Sequence, residues 1–403
     1  MNQSWIQFNV SDRRNATYHG EDFECAHHDP YTTLRFAMIL GASLVACMGI
    51  LTNLSLMVIF IRLTLAEGKW NTSRLYLTLL SLCDACFCFT FFAVFGLDAL
   101  ALYFLWELIF DLYFALLVFT FTLSRLVQLA IPYLIILATF ERWLLSGRLA
   151  NSSFVKLICA DPARYMMAGF ICAMSFFIRL PSGWAYQVTE FPNCSDHFGR
   201  LQLYPTPFAY NAVYAFVNFY VLNALGVFVP FAVLLPLNVA IIRNVRNAQR
   251  ANYDTVTNFV GHSNFKDSPL ISPQDISVTE VTKRRAQIRE RMITMGVLVS
   301  SYLLCNTPHF ILTILEQFHS SLLLTQDGQS SELYMTWADC VSVFFMFSSF
   351  LRFFIFYVCN EPVRQQVNRV LFCHWQSATV SRSVESSREE VCLALYHQES
   401  EVS

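Results

Sequence analysis

Phe36–Arg62 reads FAMILGASLVACMGILTNLSLMVIFIR, and no acidic residue, lysine, arginine or histidine interrupts it before Arg62. At about 1.5 Å per helical residue the run is long enough to cross the ~30 Å hydrocarbon layer of a bilayer, where every backbone N–H and C=O must be bonded within the segment. Six similar runs come after it, so spans are expected at 36–62, 75–102, 111–141, 165–187, 208–242, 292–318 and 333–358. One continuous helix over 75–145 would be about three times the layer's thickness, which places a turn between Leu102 and Phe110. The expected fold is an all-α membrane protein, a seven-transmembrane helix bundle over 36–358.

Composition agrees. Of 403 residues, 55% are apolar, 38 are Phe and only 14% are charged, against about 25% charged in an ordinary soluble domain. One soluble core cannot hide so much apolar surface, so membrane lipid must cover much of it. A net charge of -2, with the basic residues scattered through loops, gives no stripe for nucleic acid, which is excluded as a partner.

Residues 1–35 are expected to lie outside the cell. Met1–Arg14 lacks the apolar run of a signal peptide, and Asn2, Asn9 and Asn15 each open a glycosylation sequon. Arginine and lysine then collect in alternate loops, from Arg62, Lys69 and Arg74 to Arg364 and Arg369, which the positive-inside rule puts in the cytoplasm. The polar stretch within about 243–291, with Pro269 and Pro273, reads as a mobile cytoplasmic loop. Over 359–375, Val363, Val367, Val370, Leu371 and Trp375 recur at helical spacing opposite Arg364 and Arg369, the pattern of a short amphipathic eighth helix in the interface. Cys373 is a palmitoylation candidate there, and 376–403 reads as a disordered cytoplasmic tail with serines open to phosphorylation.

Ionisable groups within hydrocarbon are costly and usually functional. Asp84 stands in the second run and Asn53 at comparable depth in the first. Glu141-Arg142-Trp143 closes the third run, Pro308 kinks the sixth by deleting a backbone donor, and Tyr357 ends the seventh.

These features, in this order, resemble the rhodopsin-like G protein-coupled receptors, across all seven runs and the eighth helix. Cys305-Asn306-Thr307-Pro308, Leu237-Asn238 and a Phe before Tyr357 where the family has proline look most like invertebrate FMRFamide-type neuropeptide receptors. The resemblance implies an extracellular ligand, a heterotrimeric G protein inside, and arrestin and a receptor kinase at the tail. It gives Glu141, Arg142, Trp143, Pro308 and Tyr357 the roles of an activation switch, Arg142 pairing with Glu141 at rest and released when the sixth span swings out.

The chain also departs from the family. No cysteine lies between Cys88 and Cys159, so the usual outer disulfide cannot form; Cys25 and Cys194 are the two clearly lumenal cysteines of 13, and are expected to pair. The Asn of the seventh-span motif is replaced, and the adjacent Arg352 is expected to meet Asp84 where many relatives hold sodium; the alternative is that Asp84 binds sodium.

For the ligand, Asp98, Glu107, Asp111, Glu190, Asp196, Glu316, Glu332 and Asp339 form an acidic mouth suited to a cationic peptide, with Asp111, Glu316 and Asp339 as candidate contacts. Arg125, deeper in the third run, would instead read an anionic or carbonyl group. A chemosensory receptor for small molecules is the nearest alternative. A transporter or channel, favoured by Arg125, Arg179 and Arg352, is the alternative from another class, though no paired repeat supports it. No pattern of an enzyme, cofactor or metal site is present, His27-His28-Asp29 being an isolated cluster.

Overall fold

The computed structural model describes residues 25, 28, 31–66, 73–146, 152–158, 160–262, 273–318 and 331–369. The sequons at Asn2, Asn9 and Asn15, Cys373, and the tail 376–403 lie outside them.

Among the described residues, seven helices are long and apolar enough to cross a membrane: span one Thr33–Leu65, two Arg74–Phe104, three Glu107–Leu145, four Asp161–Gly183, five Ala212–Asn247, six Arg289–Phe318 and seven Tyr334–Cys359. They form a seven-transmembrane bundle. Its core joins Leu56, Tyr76, Cys88, Ile131, Leu298 and Phe356. Large apolar side chains such as Phe177, 69% exposed, and Leu304, 74% exposed, cover the outside, an arrangement that costs nothing only when the solvent is lipid. Spans one and two pack so closely at Gly49 that an added Cβ would lie 2.7 Å from Cys88 Sγ. One turn on, Asn53 Nδ2 donates to Gly49 O at 2.9 Å and to Ser349 O at 3.1 Å, tying span one to span seven.

The turn expected over 102–110 is tighter than that. Leu105, at φ 53°, closes span two in the left-handed conformation, and the next helix opens at Glu107. Span four also ends earlier than 187. The α-helix stops at Arg179, a 3-10 turn covers Leu180–Gly183, and Pro181 supplies no N–H to continue the α pattern. The chain then forms a hairpin that the sequence pattern does not announce: β1, Tyr186–Glu190, pairs antiparallel with β2, Leu201–Pro205. Span five begins at Ala212, where Asn211 Oδ1 accepts from the N–H of Val213 and Tyr214.

The expected mobile loop over about 243–291 needs correction. The α-helix of span five continues to His262, and that of span six starts at Pro273. No proline occurs between Pro236 and Pro269, so nothing removes a backbone donor there, and polar composition alone does not end a helix in water. After span seven a further helix covers 361–369, its inner face held by buried Val363 and Val367.

Candidate functional site

At the hairpin end, spans two, three, five, six and seven enclose a cavity of about 100 Å³. Local helix geometry opens it. A π-turn over Phe92–Gly96 in span two and two more over Val217–Val221 and Ala224–Phe228 in span five each insert an extra residue and rotate the helix beyond it. Phe95 and Phe219, from two of these turns, line the wall. The polar lining includes Arg125 and Gln128 on span three, Asn223 on span five, and His309 and Glu316 on span six, with the hydroxyls of Thr90, Ser124 and Ser342.

Arg125 stacks over the Phe121 ring, 5.1 Å from its centroid, and Phe121 meets Tyr186 of β1 edge-on at 5.4 Å. Burial, ahead of other causes, pushes the Tyr186 phenol up to about 12, so it remains a hydroxyl donor at physiological pH. Glu316 Oε1 accepts from Tyr334 Oη at 2.7 Å. Trp337 Nε1 donates to the carbonyl of Pro308 at 3.2 Å, bracing span seven against span six. Phe310 stacks on Phe231 at 4.8 Å, between spans five and six.

Of the other acids, Asp111 and Glu190 are exposed and Asp98 and Asp339 are not, and each of these four holds a partner. Asp339 is buried and holds Arg35 at 3.0 Å. Asp98 accepts from Tyr31 at 2.6 Å, and burial, followed by the Asp98 charge, raises the Tyr31 phenol far above its ordinary range. Glu190 holds Arg200 at 2.5 Å, and Asp111 contacts His197 at 3.1 Å. Of the four candidate ligand contacts, Arg125 and Glu316 line the cavity, whereas Asp111 and Asp339 hold the hairpin and the end of span one instead. The cations that engage these acids sit on other segments, which a linear reading does not bring together.

The hairpin is fastened over this end. Cys25 and Cys194 are disulfide-bonded with Cα atoms 5.6 Å apart. Phe198 packs on Phe110 at 5.1 Å, and Leu201 and Leu203 pack against the cluster of Phe110, Phe114 and Leu117.

Midway along the bundle, Arg352 donates to Asp84, and each side chain is 1% exposed. At the far end, the expected pairing of Arg142 with Glu141 is replaced: Glu141 Oε1 accepts from Arg164 Nη2 of span four at 2.5 Å. Successive residues on a helix do not face each other, so Glu141 and Arg142 diverge. Arg142 instead lies with Arg74 and Arg291 at a shallow pocket beside Asn360 and Val363. Trp143 stacks on Phe140 at 5.9 Å. Tyr357 Oη donates to Asn368 Oδ1 at 3.2 Å, fixing the helix over 361–369. His309, Gln128 and Asn223 escaped the sequence reading. The available signal was position: His309 comes directly after Pro308, and Gln128 lies about one helical turn past Arg125.

No protein-family model matches the chain, and no curated protein matches its sequence. Among solved structures the chain is similar to squid rhodopsin, with a TM-score of 0.57 at 12% sequence identity, covering 87% of this chain and 91% of that chain. The fold is therefore rhodopsin-like.

Proposed function

We propose that this chain is a rhodopsin-like G protein-coupled receptor. The observation that carries the reading is the vertical order of three sites in one bundle: a lidded cavity at the hairpin end, a buried Asp84–Arg352 contact midway, and Arg142 in a basic pocket at the opposite end. A ligand that draws on the cavity walls alters the packing of spans three, five, six and seven, and a kinked span six is the element able to move. Opening the far end exposes Arg142 to the backbone carbonyls of a heterotrimeric G protein.

The hairpin end faces outward in this reading. The three sequons and the loop-charge count support that direction, as does the Cys25–Cys194 bridge, which suits an oxidising compartment. Arrestin and a receptor kinase would act at 376–403.

The ligand we favour is a neuropeptide, in line with the resemblance to FMRFamide-type receptors. A cavity of about 100 Å³ admits one side chain or one terminus, so the rest of a peptide would lie against the hairpin. The same small volume favours the second reading, a chemosensory receptor for small molecules. A peptide-library screen on cells expressing the chain, with second messengers as readout and Arg142→Ala as control, tests the proposal. A response that survives Arg142→Ala, or an ionic current without any G protein, contradicts it.

A further inference from the structure

Asn193-Cys194-Ser195 is a glycosylation sequon in the chain that joins spans four and five. The fold places it between the two strands of the hairpin. Phe191 O accepts from the N–H of Cys194 at 3.3 Å, so Pro192 and Asn193 are the two central residues of a β-turn. Phe191, 7% exposed, anchors the turn in the protein. Pro192, Asn193 and Ser195 are all exposed. Cys194, the middle residue of the sequon, is bonded to Cys25. Such a bridge suits the oxidising endoplasmic reticulum lumen, the compartment in which oligosaccharide is also attached.

Three further sequons lie beyond residue 15, at Asn53, Asn71 and Asn151. Asn53 is buried in span one, its Nδ2 donating to Gly49 O and Ser349 O. Asn71 falls between spans one and two, and Asn151 between three and four. Successive spans alternate in direction, so both of these connections lie across the membrane from the hairpin. Of the four, only Asn193 is on the same side as the N-terminus and the disulfide.

We propose that Asn193 carries an N-linked oligosaccharide. This rests on the outward-facing reading of the hairpin end given above. In the transfer, Asn193 Nδ2 bonds to the anomeric carbon of the first sugar of a lipid-pyrophosphate-linked oligosaccharide. The bond from that carbon to the pyrophosphate oxygen breaks, the lipid pyrophosphate leaves, and one Nδ2 proton passes to a base of the transferase. The Ser195 hydroxyl supplies the third position that the transferase reads. Ten residues separate Gly183, the end of span four, from Asn193. Before the hairpin folds they reach up to about 33 Å from the membrane surface. After folding, the exposed turn accommodates a bulky, hydrophilic glycan without displacing a buried group. The glycan then stands beside the Cys25–Cys194 bridge.

The test is expression of the full chain in mammalian cells, with electrophoretic mobility read before and after peptide:N-glycosidase F. The starting variant combines Asn2→Gln, Asn9→Gln and Asn15→Gln. It is expected to keep a mobility shift of one oligosaccharide, which disappears on adding Asn193→Gln or Ser195→Ala and survives Ser195→Thr. In the native chain, mass spectrometry after the enzyme should find Asn193 converted to Asp. Attachment precedes folding, so the shift is read even where a variant folds poorly. No remaining shift in the starting variant, while the native chain shifts through Asn2, Asn9 or Asn15, overturns the Asn193 site and leaves the orientation standing. A remaining shift removed by Asn71→Gln or Asn151→Gln, and not by Asn193→Gln, overturns the site and the outward-facing hairpin together.

Discussion

Arg352 of span seven donates a hydrogen bond to Asp84 of span two inside the bundle, with both side chains 1% exposed. Neither charge has water to fall back on, so each depends on the other. Removing one partner, as in Asp84→Leu or Arg352→Met, is expected to cost about 3–5 kcal/mol, because an uncompensated charge stays behind. The double change Asp84→Leu with Arg352→Met should restore most of that stability, since a well-packed apolar pair replaces a buried ion pair at little cost. Melting of the four chains in nanodiscs measures the cycle, and additive losses would show that the two residues are not coupled.

Sodium gives a second test of the same pair. With the guanidinium occupying the carboxylate, replacing sodium chloride by N-methylglucamine chloride should leave the Tm of the native chain unchanged. Arg352→Ala should acquire a sodium-dependent rise. Sodium dependence in the native chain would favour Asp84 as an ion site.

Glu141 and Arg142 separate into two roles. Arg164→Ala should destabilise the chain by about 3–5 kcal/mol, because it strands Glu141, a buried carboxylate. Glu141→Gln should likewise lower Tm without releasing Arg142, which it does not hold. Raised basal nucleotide exchange in Glu141→Gln at unchanged Tm would restore the pairing expected from sequence.

Trp337 and Pro308 form a brace rather than a pocket wall. Trp337→Phe keeps the ring but loses the donor to the Pro308 carbonyl, and is expected to cost about 1 kcal/mol. If that bond restrains span six at rest, basal exchange rises in the variant; unchanged exchange assigns the contact to stability alone.

How much of this was legible in the sequence varies with the physics. The spans were, because hydrocarbon demands long uninterrupted apolar helices. Asp84 and Arg352 stood out because a charge within such a run is conspicuous, and the fold places them in contact. The hairpin was not legible. Its strands are five residues each, and apolar residues resume after Arg179 at Leu180-Pro181. The partners of the acids at the hairpin end were not legible either: Tyr31, Arg35, His197 and Arg200 engage Asp98, Asp339, Asp111 and Glu190 through tertiary contacts. Arg164 was hidden in the same way, since a partner in another span leaves no periodic trace beside Glu141. The polar stretch after span five misled because amphiphilicity reports burial, not helicity.

That this bundle activates a G protein through Arg142 is tested most directly by nucleotide exchange on a purified heterotrimer with the chain in nanodiscs. Exchange is expected above that of empty discs, increased by an active compound from the peptide screen, and reduced to the empty-disc rate by Arg142→Ala at unchanged Tm. Exchange no faster than with empty discs for every heterotrimer class and every compound tried, or exchange undiminished in Arg142→Ala, would contradict it.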